Sequence, residues 1–196
     1  MQQPYLPRTL PVGLEILAEF ALDLRWTWSH AGDALWQTID PKIWKKTQNP
    51  WMLLQNVSTE RLESLVKDQT FQSKLTALKR ERTEYYSQEG WFQCEYSQCH
   101  IGTIAYFSME YGLGEALPIY AGGLGILAGD LLKSASDLNL PLVGIGLLYQ
   151  QGYFRQMIDA QGAQQAFYPY NEPATLPIRP ALDKQGNRLT IVLELP

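Results

Sequence analysis

Hydrophobic residues in the first half of the chain recur at intervals of three and four, the spacing typical of amphipathic helices. The segments with this spacing are residues 12–29, 33–39, 58–67 and roughly 69–87, with a shorter one that begins at 50. Asp40-Pro41 and Asn49-Pro50 are typical helix starts, because proline is tolerated at the first helical position. Ser58, and then either Asp68 or Thr70, are predicted to cap the two helices that follow them. We therefore expect the first hundred residues to be mostly helical.

The hydrophobic pattern changes after residue 101, where two continuous apolar runs flank a helical one. Residues 102–107 and 142–149 are predicted to be strands that are buried on both faces. Between them, Leu127, Leu131, Ala135 and Leu138 have helical spacing, which predicts a helix over residues 126–138. Strand, helix and strand in this order form a βαβ unit of a parallel sheet.

The last forty residues are predicted to be less regular. Residues 159–162 are expected to form a turn, and residues 167–173 an irregular stretch that is rich in aromatic residues and proline. Residues 178–182 and 189–195 flank a polar segment and are predicted to pair as a hairpin.

A glycine-rich loop joins the first predicted strand to the helix. Gly122, Gly123 and Gly125 lack a Cβ atom, so the chain can turn tightly there and a ligand can approach the backbone. The free N–H groups at the start of the following helix favour an anion or a polar oxygen. A tight turn and close packing would explain the same glycines. The spacing matches neither the dinucleotide-binding fingerprint nor a phosphate loop that ends in Gly-Lys-Ser/Thr.

Four longer stretches make the chain resemble the α-glucan phosphorylases of the shorter bacterial type, the glycogen, starch and maltodextrin phosphorylases. These stretches are residues 105–111, 117–130, 133–137 and 146–156. Residues 17–30 are similar to the helical region that often precedes the catalytic core in that type. The resemblance thus covers residues 101–196 and part of the helical segment before them.

The resemblance implies an α/β fold with a helical region at 1–97 and, at 98–196, the incomplete first part of a doubly wound, Rossmann-like glycosyltransferase domain. In the family, two such domains face each other and a lysine of the second holds pyridoxal 5'-phosphate. No counterpart of that second domain or of its attachment lysine is found in this chain. We therefore interpret the chain as an N-terminal portion of a phosphorylase that is inactive alone.

The resemblance also implies a reaction and its partners. The family removes the terminal α-1,4-linked glucose of a glucan with inorganic phosphate, which gives α-D-glucose 1-phosphate. Gly122, Gly123, Leu124 and Gly125 match the loop that meets the substrate phosphate and borders the glucose site. The expected partners are therefore a glucan, phosphate and the remainder of the phosphorylase chain, and a homo-oligomer is left open.

Two further residues are implied to support the site, and no residue is assigned as catalytic. Glu110 matches an acidic position of the family, where a carboxylate could hold N–H groups of the loop. Arg155 follows a Tyr-Phe pair and is either a phosphate-facing cation or a structural ion-pair partner. Asp130 and Lys133 are expected on the surface of the helix.

Other functions fit parts of the sequence. A glycogen or starch synthase also has a glycine loop after its first strand, but its loop typically has a lysine before it, where Ala121 stands here. The chain could also be a carbohydrate-binding piece without catalysis. Trp26 and Trp28 could stack on a sugar ring, although nothing else near them in the sequence marks a sugar site, so we predict that they anchor the core.

The composition excludes several classes of function. Of the 196 residues, 45% are hydrophobic and 18% are charged, which is typical of a globular protein. The formal net charge of −4 without a basic block argues against binding to nucleic acid or to an anionic membrane. No leader or membrane segment is recognised, so a cytoplasmic protein is predicted. Cys94 and Cys99 are expected to be reduced thiols rather than metal ligands with His100.

Overall fold

The computed structural model of the chain describes residues 8–99, 101–192 and 194. Its first half is helical, as the spacing predicts. The helices in this half are α1 (Ile16–Leu22), α2 (Trp26–Ser29), α3 (Asp33–Ile39), α4 (Pro41–Thr47), α5 (Pro50–Asn56), α6 (Thr59–Lys67), α7 (Gln69–Ser87) and α8 (Trp91–Glu95). The helix α8 lies beyond the segments whose hydrophobic spacing predicts a helix.

The predicted single helix over residues 12–29 is wrong, because the structure has two helices there, α1 and α2. The break is at Asp23, whose backbone (φ −84°, ψ 89°) leaves the helical region. One carboxylate oxygen of Asp23 accepts the backbone N–H of Arg25 at 3.3 Å, and the other is 2.6 Å from Nε of Arg82. These bonds stabilise the turn between the two helices.

The caps of α4, α5, α6 and α7 agree with the predictions. The side chains of Asp40, Asn49, Ser58 and Asp68 each accept N–H groups from the first turn of α4, α5, α6 and α7. Each cap satisfies donors that the helix itself leaves unpaired, so the boundaries follow from local chemistry.

The hydrophobic faces of these helices meet in one core. Its largest fully buried side chains are Trp36, Trp51 and Phe71, surrounded by leucines of α1, α5 and α6. Burial of side chains of this size is the main favourable contribution to folding. Trp26 and Trp28 are only half-buried and lie outside this buried set. The prediction that they anchor the core is therefore wrong.

The second half contains the predicted βαβ unit. It consists of β1 (Ile104–Phe107), α9 (Gly123–Asp137) and β2 (Leu142–Ile145). The two strands are parallel, with Ile104 opposite Leu142 and Phe107 opposite Ile145. The helix begins three residues earlier than predicted, so three of the four implied loop residues belong to its first turn.

The expectation that both strands are buried is wrong for the described chain. Phe107 is 71% exposed and Val143 is 45% exposed, because a sheet of two strands with one helix has little to cover it. This arrangement is compatible with the start of a doubly wound domain. That domain, and the boundary between residues 97 and 98, stay predictions.

One hairpin of the structure was not predicted from the sequence, and another is shorter than predicted. Strands β3 (Arg155–Ile158) and β4 (Gln164–Phe167) pair antiparallel around the predicted turn at 159–162. The predicted hairpin over 178–195 is reduced to one bridge, between Leu182 and Arg188. Residues 193 and 195 of its second strand lie outside the described residues.

The helical half holds α9 by its C-terminal end. Trp28 donates its indole N–H to Asp137 at 3.2 Å, and the hydroxyl of Tyr85 donates to the same carboxylate oxygen at 2.9 Å. Gln93 donates to the carbonyl of Asn139 just beyond the helix at 2.8 Å. These contacts fix the helix at its C-terminal end. Over the described residues, none of the helices combines the length and apolar character needed to cross a bilayer.

Candidate functional site

The N-terminal start of α9 presents backbone groups rather than side chains. Gly122 precedes the helix with φ 156°, a conformation that favours glycine, and no side chain caps the helix. The first N–H groups of a helix have no partner within it, and the helix dipole adds partial positive charge there. Gly122, Gly123 and Leu124 are exposed, whereas Gly125 is buried. The exposed N–H groups can therefore receive an anion.

Glu110 braces the approach to this helix start. One oxygen of its carboxylate accepts the backbone N–H of Ala121 at 3.1 Å. The backbone N–H of Gly112 donates to the carbonyl of Gly125 at 2.7 Å, so the same segment also contacts the first turn of α9. This is the geometry of a carboxylate that holds the loop. The role of Glu110 in a substrate site stays a prediction.

A glycine is needed at position 125 because Tyr120 and Glu110 lie close to the backbone there. A Cβ atom at this position would overlap Cβ of Tyr120 and lie 3.2 Å from the carboxylate of Glu110. At Gly123, by contrast, a Cβ atom would meet nothing within 4 Å. The glycines thus serve two purposes, because one face of the first turn is packed and the other is open.

Tyr111 joins the carboxyl ends of both parallel strands. Its hydroxyl contacts the carbonyl of Tyr106 on β1 and lies 3.3 Å from the carbonyl of Ile145 on β2. The side chain is buried, and burial raises the pKa of its hydroxyl, so the group remains a donor at neutral pH. Gly146 lets the ring approach, since its Cβ would lie 2.9 Å from the ring. Ligands of parallel α/β sheets bind at this carboxyl edge.

Asn171 is a positioning residue that we did not expect from the sequence. It is one of the few buried polar side chains, and its amide donates to the carbonyl of Tyr149 at 2.9 Å and approaches that of Pro118 at 3.4 Å. Its own N–H donates to the carbonyl of Gln150 at 2.8 Å. These bonds hold the segment after β2 next to the segment before the glycines. The sequence feature that could have drawn attention to Asn171 is its place in an irregular Tyr-Asn-Glu-Pro stretch.

The structure does not bring the remaining predicted residues to the start of α9. Arg155 is exposed at the first position of β3, opposite Phe167, and among the described residues no ion pair to it is found. Asp130 and Lys133 lie one turn apart on α9 and form an ion pair of 3.7 Å. The role of Arg155 as a phosphate-facing cation stays a prediction.

The comparisons with known proteins agree with the resemblance. A family described as "Protein of unknown function (DUF3417)" matches residues 10–117, more than half of the chain. The chain belongs to the DUF3417 family. The matched segment contains the helical half, β1, Glu110 and Tyr111, and it ends before the glycines.

Several curated relatives of the chain are named as phosphorylases. The maltodextrin phosphorylase of Thermococcus litoralis is 42% identical over 93% of the chain, and the glycogen phosphorylase of Mycobacterium tuberculosis is 41% identical over 95%. The glycogen phosphorylase of Aquifex aeolicus is 40% identical over 89%. The chain spans 22–25% of the length of these relatives. No solved structure matches it.

Among the described residues, no three of His, Cys, Asp and Glu form a cluster suited to a metal ion. Cys94 and Cys99 are free and exposed, and His100 lies outside the described residues. In the second half the lysines are Lys133, which is paired with Asp130, and Lys184 in an exposed turn.

Proposed function

We propose that this chain is part of an α-1,4-glucan phosphorylase and contributes the phosphate-facing helix start of its active site. The observation that carries the proposal is the open backbone at Gly122 and Gly123, at the N-terminal start of a fifteen-residue helix. Identity of 40–42% to maltodextrin and glycogen phosphorylases supports it. Because 93–95% of the chain is aligned with two of them, the alignment includes these glycines.

In this reaction, an oxygen of inorganic phosphate forms a bond to the anomeric carbon of the terminal glucose. The bond from that carbon to the glucan oxygen breaks, and the leaving oxygen takes the proton that the inorganic phosphate loses. The N–H groups at the start of α9 would hold the negative charge of the phosphate next to the oxocarbenium-like transition state. Leu124, which is 54% exposed, would border the glucose.

The remainder of the site is proposed to come from sequence beyond these 196 residues. The exposed apolar faces of β1, β2 and α9 support this, because parallel strands are normally covered on both faces. Leu127 of α9, for example, is 70% exposed.

The family resemblance implies pyridoxal 5'-phosphate, but the residues present do not fit it. Lys133 is engaged with Asp130, Lys184 lies in an exposed turn, and neither matches the attachment lysine, which the resemblance places in the second domain of the family. We therefore assign no step of the reaction to a cofactor held by this chain. A cytoplasmic location and self-association of the whole enzyme belong to the same proposal.

The test is made on the natural polypeptide that contains these residues. Incubated with maltoheptaose and inorganic phosphate, it should release α-D-glucose 1-phosphate, whereas the 196-residue chain should not, even with added pyridoxal 5'-phosphate. No release by the longer polypeptide would refute the proposal. Transfer of glucose from a nucleotide sugar instead would identify a synthase.

A further inference from the structure

A short segment connects the carboxyl edge of the parallel sheet with the helical core. It consists of residues 171–176, and we call it the strap. A single turn of 3-10 helix, Pro173–Thr175, lies in its middle, and the carboxylate of Glu172 caps this turn. Asn171 at one end is 8% exposed, and Leu176 at the other end is 5% exposed. The strap is therefore buried at both ends, although its sequence is irregular.

The core end of the strap is bound by α5 and by the residue before this helix. The carbonyl of Ala174 accepts the indole N–H of Trp51 at 3.0 Å and the side-chain amide of Gln55 at 2.6 Å. The neighbouring carbonyl of Thr175 accepts the side-chain amide of Asn49 at 3.1 Å. Trp51 and Asn49 are buried, so their bonds lie where water does not compete. Three side chains of the helical half thus hold two successive carbonyls of the strap.

The other end of the strap is bound to the carboxyl edge of the sheet. The side-chain amide of Asn171 donates to the carbonyl of Tyr149 at 2.9 Å and approaches that of Pro118 at 3.4 Å. The backbone N–H of Asn171 donates to the carbonyl of Gln150 at 2.8 Å. Tyr149 and Gln150 follow β2, and Pro118 lies in the segment that leads into the glycine-rich loop. One residue of the strap therefore contacts both segments beside the start of α9.

Two side chains hold the segment before the glycines at different points. Glu110 accepts the backbone N–H of Ala121 at 3.1 Å, directly before the first glycine. Asn171 contacts the carbonyl of Pro118, three residues earlier. Glu110 follows β1 and belongs to the βαβ unit itself, whereas Asn171 is tied to the helical core through the strap. Of the two contacts, the second relates the position of the loop to that of the helical core.

We propose that Asn171 is a positioning residue of the active site and that the strap places the glycine-rich loop relative to the helical core. The inference rests on the proposed function, because there the loop has to meet phosphate. Asn171 acts through the carbonyls of Tyr149 and Pro118 and needs no contact with substrate. Catalysis is sensitive to such placement, since a displacement of about 1 Å can slow a reaction about a hundredfold. The helical half thus contributes to turnover in addition to its support of α9.

The strap is tested at its core end, with Gln55→Ala in the natural polypeptide. This variant removes one bond to the carbonyl of Ala174, and the indole of Trp51 keeps that carbonyl paired, so the fold should be retained. We expect kcat for phosphorolysis of maltoheptaose to fall about three- to tenfold, the loss of one hydrogen bond, with KM for maltoheptaose unchanged. Gln72→Ala is the matched control, because half-buried Gln72 also donates its amide to a backbone carbonyl, that of Leu65 at 3.0 Å, away from the strap. It should leave both constants unchanged.

Hydrogen exchange at the backbone N–H of Asn171 gives a second readout that needs no activity. This N–H is bonded to the carbonyl of Gln150 and exchanges when the strap leaves the sheet edge. Gln55→Ala should speed this exchange about three- to tenfold, whereas Gln72→Ala should not change it. Asn171→Ala removes the side-chain bonds at the sheet edge and should lower kcat about tenfold or more, again with KM for maltoheptaose unchanged.

The two readouts separate this proposal from the proposed function. If the natural polypeptide releases glucose 1-phosphate and Gln55→Ala keeps its kcat, or if Gln72→Ala lowers kcat as much, the strap does not position the loop. A rise in KM for maltoheptaose with unchanged kcat would overturn the proposal as well. If no preparation releases glucose 1-phosphate but Gln55→Ala speeds exchange at Asn171, the strap does tie the sheet edge to the helical core, and the phosphorylase proposal is wrong. Unchanged exchange in that case would overturn both.

Discussion

Gly123→Ala should separate activity from stability. Its Cβ atom would meet nothing within 4 Å, and the residue lies in the first turn of α9. Alanine is therefore expected to raise the free energy of unfolding by about 0.4–1 kcal/mol, because the unfolded chain loses freedom and helix propensity improves. The same Cβ atom stands on the open face where phosphate would approach. Loss of one such backbone contact reduces turnover by about a hundredfold or more.

Gly125→Ala is the matched control, two residues further along the same turn. Its Cβ atom would overlap Tyr120 and press on Glu110 at 3.2 Å. We expect a loss of about 1–3 kcal/mol in stability, the typical cost of overpacking. Because Gly125 is buried, this variant does not report on the approach of a ligand. It measures only how much stability a steric misfit in the turn costs.

Both variants are compared in the natural polypeptide by thermal unfolding, by the rate of glucose 1-phosphate release and by glucan binding. Gly123→Ala should keep or slightly raise its melting temperature and keep its glucan affinity while turnover falls. Unchanged turnover would show that the start of α9 is not part of the active site. A loss of stability at Gly123 as large as that at Gly125 would contradict the division between an open and a packed face.

Three further perturbations test the helical half. Desolvation, and after it the charge of Asp23, raises the pKa of Tyr86 to about 12, against about 10 in an unfolded chain. Because the unfolded state loses this proton at a lower pH than the folded state, the free energy of unfolding should fall between about pH 10 and 12. Tyr86→Phe should reduce this pH dependence in denaturation curves. Trp51→Ala, at a side chain only 1% exposed, should cost about 3–5 kcal/mol of unfolding free energy in denaturant titrations. Asn49→Ala should cost at least about 1 kcal/mol by the same assay, because Asn49 both caps α5 and donates to the carbonyl of Thr175 at 3.1 Å; a neutral result would contradict that account.

The helices of the first half were predictable because their signals are local. A capping side chain such as Ser58 or Asp68 needs only the next three residues, and proline at the first position needs none. The break at Asp23 was missed because its second partner, Arg82, is 59 residues away in sequence. A pattern of hydrophobic spacing contains no information about such an ion pair.

The second half was less predictable for the same reason. Order of strand, helix and strand follows from periodicity, and the parallel register agrees with it. The burial of the strands does not follow from periodicity, because it depends on elements from elsewhere in a protein that pack against them. The environment of Trp26 was also beyond the sequence. Trp26 was interpreted as a core residue from its sequence neighbours, whereas in the structure it is half-buried and packs edge to face with Trp44, 18 positions further along the chain.

The glycines at the start of α9 show what a motif alone leaves undecided. Gly125 and Gly129 are four residues apart, so they share one face of the helix, and at both a Cβ atom would strike the segment from Glu110 to Tyr120. Gly123 falls on another face, where nothing is near. The helical period thus places Gly125 and Gly129 on the packed face of the helix and Gly123 on the open face, although all three belong to one glycine-rich stretch. A substitution series around this turn should follow the angle about the helix axis rather than the order of residues in the chain.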